Sequence, residues 1–166
     1  ARHRGDFAEA VAQRQAAVDR LAVSDDQGSL HTTELGNLAS ALGDAGHAVE
    51  LVGPLAGGTQ EWAQVGLAVG RAVVQGAAEV GVLFCWTGTG AAIAANKVAG
   101  VRAALCVDAE TARLARRYNH ANVLVMSLRA TSEQIGREIV DAFLSAPYGS
   151  DDFDLRNVAM LEQGHR

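Results

Sequence analysis

Short apolar runs alternate along the chain with longer segments in which apolar residues recur every three or four positions. Residues 80–84 (VGVLF) are apolar throughout, which is typical of a strand buried on both faces of a sheet. The segment 131–143 has apolar residues at intervals of four, as in an amphipathic helix, and Thr131 with Gln134 has the spacing of a capping box. The pattern predicts strands at 20–24, 48–52, 80–84, 102–107 and 122–126, and helices at 6–18, 31–45, 60–75, 91–97, 108–118, from 131 onward, and at 155–162.

Strands that alternate with helices are typical of a parallel sheet covered on both faces. We therefore predict an α/β fold, a Rossmann-like three-layer α/β/α sandwich with a five-stranded parallel sheet. Residues 20–166 are predicted to form a single domain, and residues 1–19 a helical extension before it. Ligands of such sheets bind beyond the carboxyl ends of the strands. In this chain those ends are residues 25–26, 53–58, 85–90, 108 and 127–129.

Composition narrows the class of partner rather than the fold. The net charge of −5 argues against a nucleic-acid backbone or an anionic membrane as partner. The two cysteines lack CxxC spacing and a histidine cluster, so neither a disulfide framework nor a zinc site is expected. No apolar run approaches the roughly 20 residues that span a bilayer, and residues 1–19 lack the apolar core of a signal peptide. We expect a soluble cytoplasmic domain with a small-molecule ligand.

The segment from Cys85 to Gly90 (CWTGTG) carries the clearest chemistry. It follows a buried strand, contains two glycines and leads directly into a helix. Glycines there allow backbone N–H groups to converge, and the helix N-terminus adds a positive dipole end, so the loop resembles a small anion hole. That field favours the thiolate form of Cys85, which is a nucleophile or a base for a C–H proton. The alternative is a glycine turn in which Cys85 is a small buried hydrophobe.

Several motifs of the chain resemble the ribose-5-phosphate isomerase B family, which includes the galactose-6-phosphate isomerase subunits. The resemblance extends over about residues 21–161 and is densest from 80 to 129. The matching motifs are CWTGTG at 85–90, IAANKV at 93–98, GVRAALC at 100–106, ARLAR at 112–116 and NHANVL at 119–124, together with Ser24, Asp25 and Gly28 in the first loop.

The resemblance implies an isomerase of carbohydrate metabolism that interconverts an aldose and a ketose through a cis-enediolate, without a metal or other cofactor. Cys85 is then the base, and the Thr87 hydroxyl with the following backbone holds the oxyanion. Asp25 and Asn119 match residues that contact the sugar. Two subunits build each active site, in a homodimer, in a dimer of dimers or with a homologous partner chain. The candidate substrate-binding residues are Asp25, Asp26, Gly88, Thr89, Gly90, Asn119, Arg129 and Arg156.

The chain departs from the family pattern at positions that contact the substrate. Asp26 stands where the family has a histidine, and Asp152 stands where it has one of two phosphate-binding arginines, which leaves Arg156. A charge-assisted arginine–phosphate contact contributes roughly 1.5–3 kcal/mol, and a carboxylate in its place repels a phosphate dianion. Trp86 replaces a glycine beside the base and narrows the site. These changes favour a non-phosphorylated or short-chain sugar.

Tyr118 occupies the position of the histidine that opens the sugar ring in the family. Tyrosine is a poor base at neutral pH and a usable hydrogen-bond donor. Three interpretations stay open: Tyr118 acts, His120 takes the role, or the substrate is an open-chain sugar. On their own, Tyr118 is also typical of a tyrosine packed at a helix end, and His120 of a surface histidine.

Two further classes of function compete with the isomerase. One is a non-catalytic or partner-dependent paralogue that binds a metabolite. The other is a biosynthetic enzyme that uses the same loop on a non-sugar carbonyl compound.

Overall fold

The computed structural model describes residues 20–25, 42, 46–52 and 60–164. The strands are β1 Arg20–Asp25, β2 Ala48–Leu51, β3 Val80–Cys85, β4 Ala103–Leu105 and β5 Val123–Ser127. The helices in the described residues are α1 Trp62–Val74, α2 Thr89–Ala95, α3 Ala109–Asn119, α4 Glu133–Ser145 and α5 Asp152–Gln163. The predicted extension at 1–19, the helix at 31–45 apart from Leu42, and Asp26 lie outside the described residues.

The five strands form one parallel sheet in the order β2-β1-β3-β5-β4, which confirms the predicted fold class. From β1 the chain passes to β2 on one side and then to β3 on the other side. Connections that leave in opposite directions open a crevice at the carboxyl ends of the two central strands. Asp25 is paired with Phe84 there, and Cys85 is paired with Ser127 of β5.

Helices cover both faces of the sheet, and alternate residues of each strand pack on different layers. On one face, Leu83 and Cys85 pack with Val69 of α1 and Ala91 of α2. The opposite face carries a second core shared with α3 and α4. Every residue of β3 and β5 is buried, as the continuous apolar runs predict. Among the described residues, no helix is both long and apolar enough to cross a membrane.

Helices α1 and α2 approach each other closely because small residues line their contact. A Cβ on Gly66 would lie 2.8 Å from the Ala94 Cβ, and one on Gly70 would lie 3.0 Å from a methyl group of Val98. One turn earlier, a Cβ on Gly90 would lie 3.0 Å from the indole of Trp62. The contact therefore begins with the ring of Trp62 against the first turn of α2.

Several predicted element ends are shifted in the structure. The capping box of Thr131 and Gln134 is wrong: Ser132 is the N-cap of α4 and its hydroxyl accepts from the Ile135 amide at 3.4 Å. Strand β4 is shorter than predicted, because only Ala103–Leu105 continue the ladder with β5. Helix α5 begins at Asp152, three residues before the predicted start.

Candidate functional site

Cys85 is the last residue of β3 and is 6% exposed, with its side chain in the core formed with α1 and α2. Directly after it the chain reaches the surface, since Trp86, Thr87 and Thr89 are exposed whereas Gly88 is buried. The thiol thus lies at the boundary between the core and an exposed loop. The end of a buried strand is what allows one residue to be enclosed and the next to be open.

Gly88 adopts a conformation that ordinary side chains avoid, with φ 78° and ψ −20°, and it is the N-cap of α2. A Cβ at this position would overlap Cδ1 of Leu105. With no side chain at the cap, the first amides of α2 receive no side-chain acceptor. Backbone N–H groups in such an arrangement are suited to bind an anion or a developing oxyanion.

The loop is held in place by the segment that follows β5. The Ser127 hydroxyl donates to the carbonyl oxygen of Trp86 at 2.9 Å, and the Arg129 amide donates to the same oxygen at 3.1 Å. The Leu128 amide donates to the carbonyl oxygen of Cys85 at 3.0 Å. The carbonyl oxygens of Cys85 and Trp86 are therefore directed toward β5, which fixes the orientation of the loop. Ser127 lies in the predicted ligand-binding strand end at 127–129 but was not named as a candidate site residue, and its pairing with Cys85 becomes visible only in the sheet register.

Several predicted site residues come together at this carboxyl end of the sheet. The backbone of Asp25 is paired with that of Phe84, next to Cys85. Arg129 is exposed and bonded through its backbone to Trp86. With Thr87, Gly88, Thr89 and Gly90, these residues form what we call the carboxyl-end group: Asp25, residues 85–90 and Arg129. Asp26 lies outside the described residues.

The remaining predicted residues lie at the opposite, amino end of the sheet. Tyr118 and Asn119 are exposed at the end of α3, just before β5 begins. The strand pairs Gly81–Val123 and Cys85–Ser127 are four residues apart, which corresponds to about 13 Å of strand. We call Tyr118, Asn119, His120 and Arg156 the amino-end group.

Arg156 joins this group through the connection between α4 and α5. The Gly149 amide donates to the carbonyl oxygen of Arg117 at 2.9 Å, so the chain enters α5 beside the end of α3. Arg156 lies in the second turn of α5 and is exposed. A hydrogen bond needs about 3 Å between heavy atoms. The amino-end group of one chain therefore does not complete the site around Cys85 of the same chain.

His120 is buried, and its interpretation as a surface histidine is wrong. It is 1% exposed, has φ 51° and stacks on the ring of Tyr148 with centroids 4.6 Å apart. Its Nε2 lies 2.9 Å from the carbonyl oxygen of Gly149. Burial lowers the pKa of His120, and the positive charges of Arg102 and Arg116 lower it further. In this arrangement His120 links the end of α3 to the segment before α5.

Arg116 packs on the buried side of the same region, and its role there was not predicted from the sequence. It is 4% exposed, with its guanidinium 4.1 Å from the ring centre of Tyr148, and it donates to the Tyr148 hydroxyl at 2.7 Å and to the Ala121 carbonyl oxygen at 2.8 Å. Burial lowers its pKa, and its Nε has no hydrogen-bond partner among the residues that the structure describes. Its spacing from Ala112, on the buried face of α3, is the signal that would have identified it.

Cys106 provides a contrast to Cys85. It lies just after β4, is fully buried, and has its pKa raised to about 12 by burial and by the charge of Asp108. It therefore remains a neutral thiol at physiological pH, in keeping with the core role predicted for it. In the described residues, no group of three or more His, Cys, Asp and Glu side chains is arranged to hold a metal ion.

A profile of the Ribose/Galactose Isomerase family matches residues 21–161. The chain belongs to this family. A solved structure of type B ribose 5-phosphate isomerase from Trypanosoma brucei superimposes with a TM-score of 0.82 at 32% identity, covering 89% of this chain and 99% of that one.

Two named relatives illustrate the range within the family. Ribose-5-phosphate isomerase B of Escherichia coli K12 is 45% identical over 85 residues, which is 51% of this chain and 54% of the relative. The D-erythrulose-4-phosphate isomerase of Pectobacterium atrosepticum is 38% identical over 84 residues, or 51% and 55% of the two chains. The matched region thus spans about half the length of each of these relatives.

Proposed function

We infer that the chain is an aldose–ketose isomerase of a short-chain sugar, with Cys85 as the base. The observation that carries this proposal is the position of the thiol at the end of a buried strand, directly before a glycine-bent backbone that enters a helix. Membership of the family adds the reaction class, because its relatives are named as isomerases of sugar phosphates.

The proposed reaction moves one hydrogen between adjacent carbons. The Cys85 thiolate removes the proton from the carbon next to the carbonyl, and the C–H electron pair forms the double bond of a cis-enediolate while the carbonyl oxygen becomes the oxyanion. The Thr87 hydroxyl and the N–H groups of residues 88–90 stabilise this charge as it develops. A proton then passes between the two oxygens, and the Cys85 thiol returns its proton to the neighbouring carbon. No redox partner is consumed.

Each active site is proposed to combine two chains. The carboxyl-end group of one chain supplies the base and the oxyanion loop, and the amino-end group of a second copy supplies Tyr118, Asn119 and Arg156. This arrangement is supported by the separation of the two groups within one chain, about 13 Å along the strands. A homodimer or a dimer of dimers satisfies it, since a two-fold axis pairs unlike ends reciprocally.

A short substrate is supported at the amino-end group. Tyr118 is exposed, whereas His120 is enclosed with its Nε2 bonded to Gly149, so we assign the contact with the substrate to Tyr118. A tyrosine hydroxyl orients a substrate oxygen well but opens a sugar ring poorly. A four-carbon ketose stays open-chain with or without a terminal phosphate, because attack of its terminal hydroxyl on the C2 carbonyl would form a strained four-membered ring. A relative is named for the 4-phosphate of such a ketose. With an open-chain sugar, no ring-opening base is required.

The charges at the start of α5 indicate whether the substrate is expected to carry a phosphate group. The Asp151 carboxylate accepts from the Phe153 amide at 2.9 Å, so a carboxylate of the chain already caps this helix N-terminus. Asp152 is exposed next to it, and Arg156 is the arginine that remains. Two carboxylates at this point weaken the attraction for a phosphate dianion, which favours a substrate that binds without a phosphate contact there.

Substituting each cysteine in turn tests the assignment of the base. Cys85→Ala should slow solvent-deuterium exchange at the carbon next to the carbonyl by about 1000-fold or more, as expected for loss of the proton-transferring group. Cys106→Ala is the matched control and should retain exchange within about threefold, provided that circular dichroism shows it folded. The substrates to compare are D-erythrulose, D-erythrose, their 4-phosphates and D-ribose 5-phosphate.

Two outcomes would contradict the proposal. Exchange that persists in Cys85→Ala excludes Cys85 as the base. If the wild-type chain alone catalyses no exchange with any of these sugars but becomes active when mixed with a homologous chain, the partner-dependent alternative is correct.

A further inference from the structure

Of the two tryptophans of the chain, Trp86 belongs to the carboxyl-end group and Trp62 packs against it at Gly90. Trp62 begins α1 and is 47% exposed, and Trp86 directly follows Cys85 and is 50% exposed. Tryptophan is the largest apolar side chain and buries most of its surface in ordinary packing. Two half-open indoles beside one loop therefore need an explanation other than core packing.

Trp62 is fixed against the far end of the loop. The Cε3 and Cζ3 atoms of its ring would lie 3.0 and 3.1 Å from a Cβ on Gly90, so the absence of a side chain there is what admits the ring. The helix behind it is held by the close packing of Gly66 against Ala94. One part of the indole is thereby anchored on α2, and the rest stays open.

Trp86 is fixed at the near end of the same loop. Its carbonyl oxygen accepts from both the Ser127 hydroxyl and the Arg129 amide, so its backbone cannot swing away from β5. Its Cα is one peptide unit, about 3.8 Å, from that of Cys85. The two tryptophans thus flank the oxyanion loop, one at each end, on supports that hold their backbones rigid.

We propose that Trp62 and Trp86 select the substrate by packing against the C–H face of an uncharged, unphosphorylated sugar above Cys85. The face of an indole is flat and apolar with a negative quadrupole, which attracts the polarised C–H groups of a polyol and repels a phosphate dianion; the one hydrogen-bond donor of the ring, Nε1–H, lies at its edge. Arg129 is the one cationic side chain of the carboxyl-end group, and Arg156 of a second copy stands on a helix whose start is already capped by Asp151 and followed by Asp152. This inference rests on the proposed function, because it takes the substrate to react at Cys85.

Fluorescence of the two single-tryptophan variants tests it separately from catalysis. Trp62→Phe leaves Trp86 as the sole indole, and Trp86→Phe leaves Trp62. In the Cys85→Ala background, D-erythrulose should change the emission of both variants in a saturable way, and D-erythrulose 4-phosphate should bind at least about tenfold more weakly.

Kinetics of the enzyme with Cys85 intact provide a second test. Trp86→Ala should raise KM for D-erythrulose about tenfold with a smaller change in kcat, and with phenylalanine instead, in Trp86→Phe, most of the wild-type KM should be restored. Ile135→Ala, on the exposed face of α4, is the control and should change neither.

The outcomes separate the two proposals. Emission that is insensitive to sugar, in a protein whose Cys85-dependent exchange is intact, overturns the role of the tryptophans and leaves the isomerase standing. Equal or tighter binding of the 4-phosphate overturns it as well. Emission that follows protein concentration instead of sugar assigns the indoles to a contact between copies. Saturable emission without any exchange supports the aromatic site and contradicts the isomerase.

Discussion

The carboxyl and amino ends of the sheet are built on different principles. At the carboxyl end the candidate site consists of backbone groups and one enclosed thiol, shaped by the left-handed Gly88 and held by hydrogen bonds from the β5 side. At the amino end the exposed side chains Tyr118 and Asn119 stand on a buried layer of stacked rings and a guanidinium. The geometry of the carboxyl end therefore depends on backbone conformation, whereas the geometry of the amino end depends on side-chain packing. Substitutions should therefore act on them in different ways.

The largest change in activity is expected when a variant of the carboxyl end is mixed with a variant of the amino end. Cys85→Ala and Asn119→Ala should each be nearly inactive, whereas an equal mixture of the two, refolded together, should recover about a quarter of wild-type exchange. Half of the random dimers contain one chain of each kind, and each of these has one intact site. The measurement is deuterium exchange after co-refolding.

A mixture of two variants at the same end is the control for that experiment. Cys85→Ala mixed with Thr87→Ala should recover nothing, because no site in any dimer is intact. Equal recovery in the two mixtures, or none in the first, would mean that the two ends do not act across chains.

Replacing Gly88 with alanine should disrupt the backbone conformation of the loop at the carboxyl end of the sheet. The change imposes a left-handed conformation on alanine, which costs about 1–2 kcal/mol, and the added Cβ displaces the end of the flexible Leu105 side chain at little further cost. We therefore expect about 1–2 kcal/mol lower stability and, because the loop backbone shifts, at least tenfold slower exchange. Urea unfolding measures the first and deuterium exchange the second.

Gly76→Ala is the matched control, because Gly76 has the same φ of 78° with nothing within 4 Å of a Cβ. Gly76→Ala should lose only the stability that the left-handed backbone conformation costs, about 1–2 kcal/mol, and should keep the wild-type exchange rate. If both variants lose exchange equally, the loop conformation has no special role.

At the amino end, His120 is expected to make the stability of the fold depend on pH. Burial lowers its pKa in the folded chain, so below about pH 6.5 the unfolded chain binds a proton that the folded chain resists. Stability should fall as the pH decreases from that value toward the folded pKa. His120→Asn, which tolerates φ 51°, should lose about 1 kcal/mol at neutral pH with the bond to Gly149 and should remove this part of the pH dependence. A variant with an unchanged pH profile would show that another group titrates.

The ion pair between Arg102 and Glu162 should have the smallest effect. It ties the last turn of α5 to the residue before β4, and its side chains are 15% and 37% exposed. Glu162→Gln should reduce the free energy of unfolding by less than about 1 kcal/mol and leave kcat unchanged. A large loss of activity would mean that the far end of α5, and not only its start, positions the amino-end group.

The fold could be predicted from the sequence because its strands β3 and β5 are buried on both faces and read as continuous apolar runs. The end of β4 could not, since the run from Leu105 to Val107 is apolar although both residues are exposed at the sheet edge, 36% and 62%. Strand β4 ends at Leu105 although its partner β5 continues from Val125 to Ser127, so the apolar run extends beyond the paired residues.

The candidate site was only half visible in the sequence. The loop at Cys85 is a local pattern of strand, glycine and helix, so it could be identified directly. The burial of His120 depends on Tyr148 and Gly149, which lie far along the chain, and no local pattern encodes that contact. Likewise, the separation of Cys85 from Tyr118 follows from strand order and direction, which become known only with the sheet.

The close contact of α1 with α2 has a consequence for how this sequence can change through evolution. Trp62 meets Gly90, Gly66 meets Ala94 and Gly70 meets Val98, each pair separated by the same interval along the chain. Any gain in volume on one helix must be matched by a loss on the other. We therefore expect relatives that enlarge one member of a pair to have reduced its partner, so that these positions covary across the family.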